Sequence, residues 1–113
     1  MMQGGCPEGT GRGSSDKKIK GEFSKNGVDN PLHHTRGAIS MARGEENNST
    51  SCQFFIVHED STFLDGAYAA FGFVTEGIEV VDKVCTEANP VDNNGKIPAE
   101  EQPVIKSITI RKP

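Results

Sequence analysis

Tryptophan is absent, tyrosine occurs once, and the three cysteines, Cys6, Cys52 and Cys85, make neither an even set nor a C-x-x-C pair. The missing pair speaks against a disulfide framework and a zinc site, and it fits small, part-buried thiols in a reducing, cytoplasmic setting. No apolar run approaches the roughly 18 residues of a membrane span. Lys and Arg are scattered, and with a formal net charge of −4 the chain lacks the basic patch that nucleic acid or an anionic membrane surface would need. Hydrophobic residues are only 34% of the total, and 13 glycines with 6 prolines leave little uninterrupted sequence, so an all-helical bundle is disfavoured. The 113 residues admit a single domain spanning 1–113, long enough to form a core without metal or disulfide staples. The opening Met1-Met2-Gln3-Gly4-Gly5 has no basic n-region and no apolar h-region, so it does not read as a signal peptide. It reads instead as an element already under way.

What is present is a series of short β patterns separated by turn chemistry. Gly5 to Ser15 is a glycine-rich loop. Ile19, Gly21 and Phe23 then share one parity and Lys18, Lys20 and Glu22 the other, which predicts a half-buried strand. Gly37 to Ala42 predicts the next strand, with Ile39 and Met41 on one face and small Ala38, Ser40 and Ala42 on the other. Arg43 to Ser51 is a polar loop. Gln53 to Val57 is apolar on both faces, as in a strand packed on each side. Phe63 to Tyr68 is a turn carrying unusually large side chains, and Phe71-Gly72-Phe73 forms another short strand. Ile78, Val81, Val84 and Cys85 share one helical face after Gly77, and Asn89-Pro90 stops that helix. Asn93-Asn94-Gly95 is a further turn, and Val104, Ile108 and Ile110 alternate in a last strand. Five or six short strands with one helix predict a mainly β sheet, sandwich or barrel.

Conventional catalytic signatures are lacking. Gly9-Thr10-Gly11-Arg12-Gly13-Ser14 fits neither the dinucleotide nor the Walker pattern, and reads as a flexible or substrate-flanking loop. His33 and His34 are adjacent, so on an extended segment they would point to opposite sides and could not chelate one ion. His58 has no evident Cys or Ser partner, and no nucleophile motif is recognisable. The neutral amides, aromatics and aliphatics Gln3, Gln53, Phe55, Phe63, Leu64 and Tyr68 are the more informative group. Each, taken alone, also suits a core.

In order and with matching gaps stand Met1-x-Gln3-Gly4-Gly5, Gly9-Thr10-Gly11, Ile19-Lys20-Gly21-Glu22-Phe23, Gly37-Ala38-Ile39-Ser40-Met41-Ala42, Gln53-Phe54-Phe55-Ile56 and Leu64-Asp65-Gly66 through Phe71-Gly72-x-Val74. Together these closely resemble the cyclophilin-type peptidyl-prolyl cis-trans isomerases over essentially the whole chain. Tyr68-Ala69-Ala70-Phe71-Gly72 resembles bacterial members most.

The resemblance implies a mainly β, cyclophilin-like antiparallel barrel of eight strands capped by two helices. The first strands and first helix lie upstream of what is present here, as expected of a chain that begins inside the family's domain. It implies isomerisation of X-Pro bonds during protein folding, with proline-containing peptides and unfolded proteins as partners and no metal or cofactor. Met1, Phe55 and Leu64 would wall the proline pocket, with Tyr68 where many members have His. Gln3 would bond the substrate backbone, Ala42 and Arg43 would pair with it, and Gln53 would be an amide of the groove; many members have Asn at the place of Arg43. Phe63 stands where cyclosporin-sensitive eukaryotic members have Trp, and loss of the indole N–H predicts weakened cyclosporin binding. The family's catalytic arginine, which donates to the imide nitrogen, falls upstream of the Met-x-Gln-Gly-Gly motif and has no counterpart in these residues. Arg12, Arg36 and Arg43 would be poor substitutes. Two alternatives therefore stay open: a non-catalytic module that binds proline peptides, and an inactive or unstable fragment.

Overall fold

A computed structural model describes residues 1–88, 90 and 95–112. Four strands, β1 (Met2–Gly4), β2 (Ala38–Met41), β3 (Phe54–Ile56) and β4 (Ala69–Phe73), form one antiparallel sheet in the order β1-β3-β2-β4. One α-helix, α1 (Ile78–Glu87), follows, and single 3-10 turns occupy Ser24–Asn26, Thr62–Leu64 and Ala99–Glu101. The mainly β reading with one short helix is thus what the described residues adopt.

The register explains why a site forms on one face. Gln3, Phe55 and Ser40 lie opposite one another across β1, β3 and β2. Because side chains alternate along a strand, Met1 shares the face of Gln3, Gln53 and Val57 share that of Phe55, and Ala38 and Ala42 share that of Ser40. This face holds the core: Ala38 and Val57 are fully buried, Phe55 nearly so, and Ala42, Leu64 and Tyr68 pack against them. The small residues of β2 therefore make room for the Phe55 ring in the neighbouring strand. In β4 the register slips, with Ile39 opposite Gly72 but Ser40 opposite Ala70, so Phe71 is the extra residue of a bulge and stays exposed. At Gly5 the backbone turns with φ +90, and any Cβ there would collide with the Cys52 carbonyl oxygen. Only glycine lets β1 leave the sheet so close to the start of β3.

The helix begins after Gly77, itself at φ 88, and buries Val81 while Val80 remains exposed. Arg36, just before β2, holds Asp82 of α1 with two hydrogen bonds of 2.6 and 2.7 Å. His58, just after β3, lies 2.9 Å from the same carboxylate. The carboxylate lies near His58, but Nδ1 makes no well-aligned hydrogen bond.

Two expected strands are not strands. Ile19 to Phe23 makes a single bridge, Ile19 to Thr50, after which Phe23 buries its ring and the chain enters the 3-10 turn. Val104 to Ile110 forms no ladder, and Val104, Ile108 and Ile110 are 80%, 68% and 90% exposed. Alternation shows only that a segment could cover one side of a sheet, whereas a strand also needs a neighbour for its backbone groups. The stop at Asn89 and most of the Asn93-Asn94-Gly95 turn lie outside the described residues.

Candidate functional site

A hollow of about 130 Å³ opens on the Phe55 face, lined by Met1, Gln3, Ala42, Arg43, Phe55, Leu64 and Tyr68. These seven are separated by up to 67 positions in sequence, and the sheet and the Thr62–Leu64 turn bring them together. Phe55 forms the floor. One face of its ring lies against His34, with centroids 5.8 Å apart and planes at 19°, and the Tyr68 ring meets it at 83° and 6.0 Å. Aromatic contacts on two sides hold the ring in one orientation. Leu64 ends the 3-10 turn and faces inward, whereas Phe63 is 82% exposed and does not line the hollow. Successive side chains in a 3-10 turn point about 120° apart, so Leu64 faces in while Phe63, one of the residues expected to bind substrate, stands exposed beside the hollow.

Gln53 does not line the hollow directly, yet it sets its polarity. Its Nε2 donates to the carbonyls of Gly11 and Gly13 at 3.0 and 2.8 Å, which assigns that end of the amide as the nitrogen. Gln53 Oε1 is then the acceptor for Gln3 Nε2 at 2.9 Å. By this network Gln3 keeps its own Oε1 free to accept an N–H from a bound peptide. The glycine loop lies beside the site, tied to it by Gln53. In that loop the Cys6 sulfur accepts the Gly13 N–H at 3.2 Å. Partial desolvation pushes this thiol up, but the N–H groups around Glu8, Gly13, Gly11 and Thr10 together hold it down at about 7.

Arg43 is the one arginine among the described residues that lines the hollow. Its guanidinium carbon sits 4.8 Å from the centroid of Phe23 and 4.9 Å from that of Tyr68. Nε donates to Ala67 O at 2.8 Å, and Nη1 to Gly44 O and Glu45 O at 3.0 and 3.2 Å.

Behind the floor runs a chain of polar groups that sequence did not reveal. Asp65 Oδ1 takes the His34 Nδ1 and backbone N–H, both at 2.7 Å, and His34 Nε2 meets Ser40 Oγ at 2.8 Å. Asp65 Oδ2 is 2.8 Å from His33 Nδ1. Both histidines therefore converge on one carboxylate; the expectation of opposite sides assumed a pleated strand, and the backbone at 31–35 is not one. Burial pushes the Asp65 carboxyl up, but bonds from His33 and His34 pull it further down, to about 2. The connectivity is that of a Ser-His-Asp nucleophile system, but Ser40 and His34 are completely buried. With no access for a substrate, these groups orient Phe55 and the turn that carries Leu64. Ser40 and Asp65 lie within the quoted motifs, although nothing in their spacing signals that His34 joins them.

The family model for "Cyclophilin type peptidyl-prolyl cis-trans isomerase/CLD" matches residues 1–112. Peptidyl-prolyl cis-trans isomerase B of Bacillus subtilis is 47% identical over 79 residues, 70% of this chain and 52% of that protein. A peptidyl-prolyl cis-trans isomerase of Helicobacter pylori is 44% identical over 86 residues, 74% of this chain and 50% of that protein. Peptidyl-prolyl cis-trans isomerase-like 3 of Dictyostelium discoideum is 39% identical over 113 residues, covering 97% and 65% of the two. The chain thus spans about half the length of the first two. Among solved structures, a Cryptosporidium parvum cyclophilin-type isomerase crystallised in the presence of the dipeptide Ala-Pro superposes with a TM-score of 0.69 at 28% identity, over 86% of this chain and 60% of that one. The chain belongs to the cyclophilin-type peptidyl-prolyl cis-trans isomerase family.

Proposed function

We propose that the protein of which these residues form the site accelerates cis-trans isomerisation of X-Pro bonds in peptides and unfolded proteins. The observation that carries this reading is the small hollow floored by Phe55 and walled by Met1, Ala42 and Leu64, with Gln3 Oε1 at its edge. An apolar hollow grips a pyrrolidine ring, and a fixed amide acceptor holds the peptide backbone beside it. Rotation about the X-Pro bond crosses a barrier of roughly 18–20 kcal/mol and breaks no covalent bond. Catalysis then requires only that the twisted amide bind better than either planar form. Neither a nucleophile nor a proton donor with a matched pKa enters this scheme.

A second reading, a module that binds proline peptides without turning them over, rests on the arginines. Arg36 is engaged with Asp82, and three N–H groups of Arg43 are tied to carbonyls. NMR exchange spectroscopy on an Ala-Pro peptide separates the two. Enhanced cis-trans exchange supports the isomerase, and saturable shifts without enhancement support the binder. The 113-residue chain by itself is expected to give little or no turnover, and robust exchange would overturn that expectation. The three part-buried thiols support a reducing, cytoplasmic location, the Tyr68 to Gly72 pattern a bacterial source, and exposed Phe63 in place of an indole weak cyclosporin binding.

A further inference from the structure

The guanidinium of Arg43 has five N–H donors, and the bonds to Ala67, Gly44 and Glu45 use three of them. Both N–H groups of Nη2 make no hydrogen bond among the described residues, and no carboxylate there pairs with this cation. Glu45 and Glu46, the acids next to it in sequence, are exposed; Glu45 offers it only a backbone carbonyl. The rings of Phe23 and Tyr68, both within 5 Å of the guanidinium carbon, fix its position without neutralising its charge. Three bonds and two rings thus hold a cation at the wall of the hollow with its Nη2 unspent. That nitrogen can give a carboxylate a charge-assisted hydrogen bond, and its order means little further side-chain entropy is lost when that contact forms.

We propose that Arg43 is a specificity-determining residue that selects peptides bearing an acidic side chain next to the proline. This rests on the reading of the hollow as a proline-peptide site and names its substrate class. The formal net charge of −4 opposes an acidic ligand at long range, but at physiological ionic strength charges beyond about 8 Å are largely screened, and the local cation dominates.

The test is an NMR titration of the full chain with acetylated, amidated peptides that carry Glu, Gln or Lys immediately before or after a single proline. The Glu peptide is expected to bind about fivefold or more tighter than the Gln peptide at low salt, the Lys peptide weakest, and the Glu advantage to shrink as salt is added. Arg43→Gln should erase the ordering, and Arg43→Lys should restore only part of it. Should Arg43→Gln fail to fold, the Arg43 Nη–H resonances of the unaltered protein serve instead, shifting with the Glu peptide and not with its Gln counterpart. Equal affinity for all three peptides, or unshifted Nη–H resonances, overturns the role of Arg43 and leaves the proline site standing. A Glu preference that survives in Arg43→Gln also overturns it. Binding of none of the peptides overturns both readings.

Discussion

Gln3 Nε2 donates to Gln53 Oε1 at 2.9 Å, joining two side chains fifty positions apart. The direction of that bond is fixed from outside the site, because Gln53 spends its own nitrogen on the Gly11 and Gly13 carbonyls. The glycine loop therefore decides which end of Gln3 faces a peptide.

Replacing Gln53 with Leu should release both the loop and Gln3. The bonds lost are part-exposed, so stability should fall by only about 1 kcal/mol. Affinity for an Ala-Pro peptide should fall more, by about fivefold, since the Gln3 amide is then free to turn. Gln53→Glu can still accept from Gln3 but cannot donate to Gly11 and Gly13, and should not restore affinity. Titration of both variants checks this, and unchanged affinity would show that Gln3 is oriented by something else.

Ser40→Ala removes the partner of His34 Nε2 in a fully buried setting. An unsatisfied buried ring nitrogen costs about 1–3 kcal/mol, which denaturant unfolding can measure. A fluorophosphonate should leave Ser40 unlabelled in the native protein, and labelling would show that the buried Ser-His-Asp chain is reachable.

Asp65 makes stability depend on acid. Its carboxyl is held at about 2 in the folded chain against an ordinary 3.8. A depressed folded value means that the stabilisation is complete above about pH 4 and is lost as pH falls through about 2. The contribution at neutral pH is on the order of 1–2 kcal/mol, reduced because part of the carboxyl meets solvent. Asp65→Asn should lower stability near pH 6 and flatten the pH profile between 4 and 2. An equally steep profile in the variant would place the effect elsewhere.

Cys6, held at about 7, should be half thiolate near neutrality. Alkylation by iodoacetamide followed by peptide mass mapping should show the Cys6 rate rising with a midpoint near pH 7, and removing the Gly13 contact should move the midpoint upward. A midpoint above pH 8 in the unaltered chain would contradict this.

Local sequence determined the elements whose signals are themselves local. Gln53 to Val57 is apolar on both sides and forms β3, the alternation of Ala38 to Met41 forms β2, and Gly77 followed by apolar residues at helical spacing starts α1. The ordered motifs carried the family, and they named seven side chains that line one hollow. Tertiary structure decided the rest. Ile19 to Phe23 and Val104 to Ile110 have strand periodicity but no ladder, because pairing depends on which backbone lies alongside. Phe63 and Leu64 are neighbours of similar character, and only the 3-10 turn sends one outward and the other in. The meeting of Asp65, His34 and Ser40, the orientation of Gln3 and the unspent Nη2 of Arg43 all depend on side chains from separate segments sharing a few ångströms. Hydrogen-bond direction and charge compensation are properties of that shared space, and no spacing along the chain encodes them.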